Sequence, residues 1–407
     1  NISILASRQG PDMTAITLLD GSIGQELVKR AGARPTPLWS TQVMIDHPEL
    51  VRTVHDAYFA AGATVATTNT YAVLRDRLRR AGMEEQLQTL TDTALVSARA
   101  ARDAHGSGRV AASLGPLFAS YRPDICPPPD EAARIYAEPV RLIGDRADLV
   151  LIETMSSVDQ CEGALRAATG QGLPVWLAVT VDDDDGTRLR SGEPVGDLAP
   201  LVERFGPQAL LVNCSRPEAV TAALDIIQGF GLPFGAYANG FTHIAEGYLE
   251  DAPTVDALKA RTDLDPAAYA DFAMDWVDRG ATIVGGCCEV GPDHIAELAR
   301  RLRGGRARPG LVGPAGYRLA SHVPGTALRI VEALKHGVVR GGVNPVIGVE
   351  ADADNRGRRE FRHAEIYQVL AQFMKRRVVP DHRDTLQLVG KLADHAQPVA
   401  RVGVVQA

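Results

Sequence analysis

Short apolar, β-branched runs recur along the first three-quarters of the chain and alternate with longer amphipathic stretches. The runs are "ITLLD" (16–20), "TVATTN" (64–69), "RVAASLG" (109–115) and "ADLVLIET" (147–154). They continue with "PVWLAVTV" (174–181), "ALLVNC" (209–214), "PFGAYAN" (233–239) and "ATIVGG" (281–286), eight in all. Apolar residues fall at helical spacing in "HPELVRTVHDAYFAAG" (47–62) and "EEQLQTLTDTALVSARAARDAHG" (84–106), each ending in glycine. "PEAVTAALDIIQGFG" (217–231) and "DPAAYADFAMDWVDRG" (265–280) begin near proline and also end in glycine, the start and stop signals of helices. Eight such strand–helix units predict an α/β fold, a (β/α)8 TIM barrel, over residues 13–304. An open doubly wound sheet is the weaker alternative, because no G-x-G-x-x-G follows the first run.

The pattern breaks after "ELARRLRGG" (297–305). Residues 305–316, rich in Gly, Pro and Arg, read as a linker. Residues 317–407 read as a C-terminal extension, an oligomerisation arm or a partly disordered tail, with one helix-like stretch at 364–379. Residues 1–12 read as an extension ahead of the barrel without the basic and apolar regions of a secretory signal.

Composition narrows the function classes. Of 407 residues, 45% are hydrophobic and 23% charged, with a formal net charge of −7. That is an ordinary soluble balance, with no pull toward nucleic acid or anionic membrane. No run approaches the length of a membrane span. Five cysteines are an odd number in a long chain, which argues for a reducing, cytoplasmic setting rather than a disulfide scaffold.

In such a barrel, reactive groups gather at the C-terminal ends of the strands. Asp20 ends the first run, Glu153 falls at the end of the fourth, Cys214 ends the sixth, and Cys287 and Cys288 follow the eighth. Cys126 lies in a Pro-rich loop and Cys161 in a helical pattern, which suits packing. Three thiolates at one mouth suit zinc, because soft sulfur ligands favour it over magnesium or calcium. Three protein ligands leave one tetrahedral position open, the arrangement of a catalytic site. Gly285 and Gly286 before the cysteine pair are expected to allow a tight turn. His294 as a fourth ligand is the weaker reading, because "GPDHI" reads as a helix start with Asp293 near its positive end.

The motifs "LLDGSIG" (18–24), "TTNTY" (67–71), "SLGP" (113–116), "IET" (152–154), "VNCS" (212–215) and "GGCCEVGPDHI" (285–295) together resemble the zinc-dependent homocysteine S-methyltransferases. That family includes betaine–homocysteine methyltransferase, S-methylmethionine-using enzymes and the homocysteine module of cobalamin-dependent methionine synthase. The resemblance covers residues 16–303. It implies an enzyme with one Zn2+ per chain on Cys214, Cys287 and Cys288. It places the amino acid part of homocysteine against Asp20, Gly21 and Glu153. The nucleophile would be the substrate's own thiolate, activated by zinc, with no covalent protein intermediate. The methyl donor would be an onium compound: S-methylmethionine, S-adenosylmethionine or a betaine. The product would be methionine. Trp39 would line the donor pocket, since onium groups sit well on aromatic faces, with Tyr71 and Tyr121 as weaker candidates. Asn239 and Asn69 are further candidates for contact with substrate or metal ligands. Many family members have a second glycine where this chain has Ser22, so a different shape is expected for the loop after the first strand. The partners expected are homocysteine and a small methyl donor, with no nucleic acid or membrane and with a homo-oligomer left open. A zinc-binding scaffold without methyl transfer, and a homocysteine module serving a cobalamin protein in trans, are the competing readings.

Overall fold

The computed structural model of the protein describes residues 16–32, 38–244 and 258–304. Among the described residues there are eight strands: β1 (Thr17–Leu18), β2 (Val65–Thr67), β3 (Arg109–Leu114), β4 (Leu149–Met155), β5 (Val175–Val179), β6 (Ala209–Asn213), β7 (Phe234–Tyr237) and β8 (Ile283–Val284). They form one sheet in the order β1-β8-β7-β6-β5-β4-β3-β2, with every pairing parallel. The two edges meet through a parallel bridge between Leu19 and Val65, and the Asp20 amide donates to the Val65 carbonyl at 3.1 Å. The chain is therefore a (β/α)8 TIM barrel. The predicted runs exceed β1 and β8, whose paired segments cover only Thr17–Leu18 and Ile283–Val284. The segments 1–12, 305–316 and 317–407, including the helix expected at 364–379, lie outside the described residues.

Parallel strands covered on both faces need apolar residues on both, and the strands show how the two sets divide. In β4, Leu149 and Leu151 join Leu19, Val65, Ala111, Trp176, Ala178, Leu211 and Tyr237 inside the barrel. Val150 and Ile152 point the other way, into the layer beneath the helices. Glu153, two residues past Leu151, continues the inward face one step nearer the mouth. The opposite end of the barrel is plugged by Trp176, with the Arg109 guanidinium 5.0 Å from its ring centroid.

The outer helices use ordinary start and stop chemistry. Helix α3 (Pro48–Ala61; α1 is Ile23–Ala31 and α2 Ser40–Asp46) starts on proline and stops at left-handed Gly62, φ 107°. Helices α4 (Arg75–Arg79), α5 (Leu87–His105) and α6 (Pro129–Ile143) follow, then α7 (Val158–Ala168), which Ser157 caps by accepting from the Gln160 amide at 3.2 Å. Helices α8 (Ala199–Phe205), α9 (Pro217–Ile227), α10 (Pro266–Asp278) and α11 (Pro292–Arg303) complete the ring. Among the described residues, no helix is long and apolar enough to cross a membrane.

One buried group in this shell makes stability depend on pH. His55 on α3 is fully buried, and neither ring nitrogen has a partner among the described residues. Burial disfavours the charged ring and pushes its pKa down to about 4. The folded state therefore binds its proton less readily than the unfolded chain. Stability is lost as pH falls from about 6.5 through about 4, by up to about 3 kcal/mol. His55→Leu should remove this loss, so its denaturant midpoint should gain on the wild type steadily between pH 7 and pH 4. A constant gap between the two would contradict the assignment.

Candidate active site

The C-terminal strand ends surround an open cavity of about 790 Å³, counting its solvent-filled opening. Asp20, Gly21, Trp39, Asn69, Tyr71, Tyr121, Glu153, Cys214, Cys287 and Cys288 all line it. Asn239 does not; it is fully buried, and its Oδ1 accepts from the Phe241 amide at 3.1 Å. Its Nδ2 finds no partner among the described residues.

Three cysteine sulfurs form one cluster within 4.8 Å of one another. Cys214 follows β6 in the left-handed conformation, φ 48°. Its amide donates to the Tyr237 carbonyl at 3.2 Å. Its sulfur lies 3.6 Å from that of Cys288 and 2.9 Å from the Tyr121 hydroxyl. The loop after β8 is tied down along its length. Gly286 donates to the Asp20 carbonyl, Cys287 to that of Ala238, and Gly240 donates back to that of Cys288, at 3.0, 3.0 and 2.8 Å.

Neither Gly285 nor Gly286 adopts a positive φ, contrary to the expected tight glycine turn. Close approach explains them instead: a Cβ on Gly286 would lie 2.1 Å from the Val290 side chain. The strained residue is Glu289, φ 65°, just after the pair. Gly21 is held by the same contact, since an added Cβ would fall 2.1 Å from the Val290 carbonyl oxygen.

The departure at Ser22 has a partner elsewhere in the chain. Its hydroxyl donates to Gln25 Oε1 at 2.8 Å, which also accepts the Glu289 amide at 2.5 Å. Gln25 Nε2 donates to the Glu289 carboxylate. The loop after β1 is thus latched to the loop after β8.

Two carboxylates share the cavity, and both are almost fully buried. Asp20 accepts the Thr67 amide at 2.6 Å and the Thr67 hydroxyl at 2.8 Å. Glu153 accepts from the Ser113 hydroxyl and, at 3.0 Å, from the Tyr237 hydroxyl. Burial pushes Asp20 up to about 8 against the pull of the Thr67 bonds, and the nearby charge of Glu153 adds to the rise. Burial likewise pushes Glu153 up to about 7, opposed by Ser113 and Tyr237. Such groups regain their charge when a cation arrives. Within the thiol cluster, hydrogen bonds from Cys287 and Cys288 hold Cys214 well below the usual thiol range. Their own thiols are raised, first by the hydrogen bond to Cys214.

Several supporting residues escaped the sequence reading. Ser113, Thr67 and Tyr237 hold the carboxylates. Asn213 donates to and accepts from Thr154, at 2.9 Å each way, where β4 shifts register against β5 and Thr154 turns left-handed, φ 63°. That bulge sets the aim of Glu153. Ser113, Thr67 and Asn213 stand inside motifs already singled out, but no spacing rule says which carboxylate each meets. Trp39 is itself left-handed, φ 49°, and its ring lies against Gly24. Its Nε1 is buried with no partner among the described residues. Asn69 is pinned by α2: Ser40 Oγ donates to its Oδ1 at 2.7 Å. His294 is occupied at both ring nitrogens, by the Gly291 amide and the Leu264 carbonyl, away from the sulfurs. Cys126 and Cys161 are not in the cluster; burial raises the pKa of each.

Sulfur is a soft donor, and three sulfurs facing one open cavity form a group able to hold a metal ion. The family model for homocysteine S-methyltransferase matches residues 17–302. The homocysteine S-methyltransferase of Escherichia coli K12 is 32% identical over 311 residues, covering 71% of this chain and 96% of the relative. Homocysteine S-methyltransferase YbgG of Bacillus subtilis is 26% identical, covering 72% and 96%. Among solved structures, the metallated form of the homocysteine methyltransferase MmuM from Escherichia coli is similar with a TM-score of 0.59 and 29% identity. That match covers 70% of this chain and 96% of that one. The chain belongs to the homocysteine S-methyltransferase family of enzymes.

Proposed function

We propose that the protein transfers a methyl group from an onium donor to the thiol of homocysteine, giving methionine, with Zn2+ held by Cys214, Cys287 and Cys288. The observation that carries this reading is the juxtaposition of the three-sulfur cluster with two buried carboxylates around one cavity. The donor set fits the metal: three soft sulfurs, close together, with the cavity on their open side. A bound Zn2+ supplies Lewis acidity that lets a thiol ionise at neutral pH.

The protein's own groups account for recognition and orientation. Asp20 and Glu153 receive the substrate ammonium, replacing its hydration with charge-assisted hydrogen bonds. Thr67, Ser113 and Tyr237 hold the two carboxylates so that they need no rearrangement on binding. Gly21 leaves the loop after β1 room to pass under Val290. Trp39 and Tyr71 offer aromatic walls to the cationic methyl donor. The cavity aligns the substrate sulfur with the donor methyl, so that one S–C bond forms as the donor's bond breaks. No side chain forms a covalent intermediate.

An intact carboxylate pair favours catalysis over the scaffold reading, because a scaffold has no use for an ammonium clamp. A donor panel tests the proposal. Zinc-loaded protein with homocysteine should form methionine from at least one of S-methylmethionine, S-adenosylmethionine and glycine betaine. No methionine from any of the three would overturn it.

A further inference from the structure

Cys214 is gripped by residues outside the three-sulfur cluster. The loop after β3 brings the Tyr121 hydroxyl to 2.9 Å from the Cys214 sulfur. Two bulky residues of this loop, Phe118 and Tyr121, are left-handed, φ 62° and 61°. Such conformations persist only where the surroundings fix them. Here the Phe118 amide donates to Asp76, and Arg77 donates to the Pro116 carbonyl at 2.7 Å, both from α4. Tyr71 and Ser120 join their hydroxyls at 2.7 Å.

Arg190 connects this loop to Cys214 by two routes. Its guanidinium lies 4.9 Å from the centroid of the Tyr121 ring. Its Nε donates at 2.9 Å to Thr180 Oγ1, which in turn donates to the Cys214 carbonyl at 3.2 Å. Arg190 is 10% exposed and paired with Asp183, which is 1% exposed, at 2.9 Å. Asp183 also accepts the amides of Ile244 and Arg216, at 2.9 and 3.4 Å. A buried charge pair so fully bonded is a rigid anchor. Both the sulfur and the carbonyl of Cys214 are thus fixed from one arginine.

We propose that Tyr121 and Arg190 are positioning residues of the metal centre. Tyr121 donates a hydrogen bond to the Cys214 sulfur, and Arg190 braces both the tyrosine ring and the cysteine backbone. This rests on the reading of Cys214, Cys287 and Cys288 as metal ligands. A hydrogen bond to a ligating sulfur fixes its direction and draws off part of its charge. Loss of such a partner commonly weakens metal binding by about 10- to 100-fold. A tyrosine serving only to pack would act through its ring, and phenylalanine would replace it without consequence.

Zinc competition against a chromophoric chelator, with the full chain, separates these cases. Tyr121→Phe should bind zinc about 10- to 100-fold more weakly than wild type at an unchanged melting temperature. Arg190→Gln should also weaken zinc, and the double variant should lose less than the product of the two single losses, because part of the arginine's effect passes through the tyrosine. Zinc affinity unchanged in Tyr121→Phe, or strictly multiplicative losses, would overturn the proposal while leaving the three-cysteine site standing. A wild-type chain that takes up no zinc would overturn both. Arg190→Gln can fail by stranding Asp183, so Tyr121→Phe carries the decision alone if that variant does not fold.

Discussion

Cys287→Ala should lose its zinc and lower turnover by about a thousandfold or more, some 4 kcal/mol of barrier. The chain keeps two of three sulfurs in this variant, and two thiolates close no catalytic zinc site of the expected kind. The fold should survive. Cys287 is only half-buried, and the backbone bonds that shape its loop, to Asp20, Ala238 and Gly240, do not use its side chain. Metal analysis should give about one zinc per wild-type chain and less than a tenth of that in the variant, with a melting curve still cooperative. Full activity in zinc-free protein would contradict the mechanism.

Glu153→Gln should weaken homocysteine by about 10- to 100-fold, the range for losing a charge-assisted hydrogen bond. Methionine gives the cleaner probe, because it carries the same ammonium without a thiol. In metal-stripped protein, Asp20 and Glu153 sit at about 8 and about 7 before ligand arrives, both raised by burial. An ammonium binds the ionised forms, so protons compete with it. Methionine affinity should fall as pH drops from 8 toward 5.5 and level off above about 8. Glu153→Gln should lower the affinity at pH 8 and flatten part of this dependence. Calorimetric titration across that range checks it, and an affinity independent of pH would remove the ammonium role from this pair.

Much of the barrel could be read from the chain because its strands are punctuated by helices with clear ends. The proline starts and glycine stops of α3 and α10 left little freedom in placing those elements. Strands β1 and β8 were read too long, since apolar residues such as Ile16 and Ala281 flank the paired segments without belonging to them. The residues singled out as ligands and clamps came to one cavity because barrel topology puts every strand end on one face. Asn239 was carried by its position after β7, where its amide still donates to the Ser215 carbonyl at 3.0 Å, and it is not among the residues that line the cavity. The grips on Asp20 and Glu153 were illegible for a different reason. Thr67 and Asp20 are 47 residues apart, as are Ser113 and Glu153 by 40, and only strand register makes them neighbours. The Ser22 departure shows the same limit: Gln25 on α1 links it to Glu289 on the loop after β8, and only the closed barrel brings these together.

The central claim is that these residues bind homocysteine and make its thiol a thiolate. Proton release on binding measures this directly. Titrating homocysteine and then methionine into zinc-loaded protein at pH 7, in buffers of different ionisation enthalpy, counts the protons each ligand sheds. Protons released by the two carboxylates are common to both ligands and cancel in the difference. The account predicts about one more proton for homocysteine than for methionine, lost from the thiol, and no such excess in metal-stripped protein. Equal release for the two ligands in the zinc-loaded chain would contradict it.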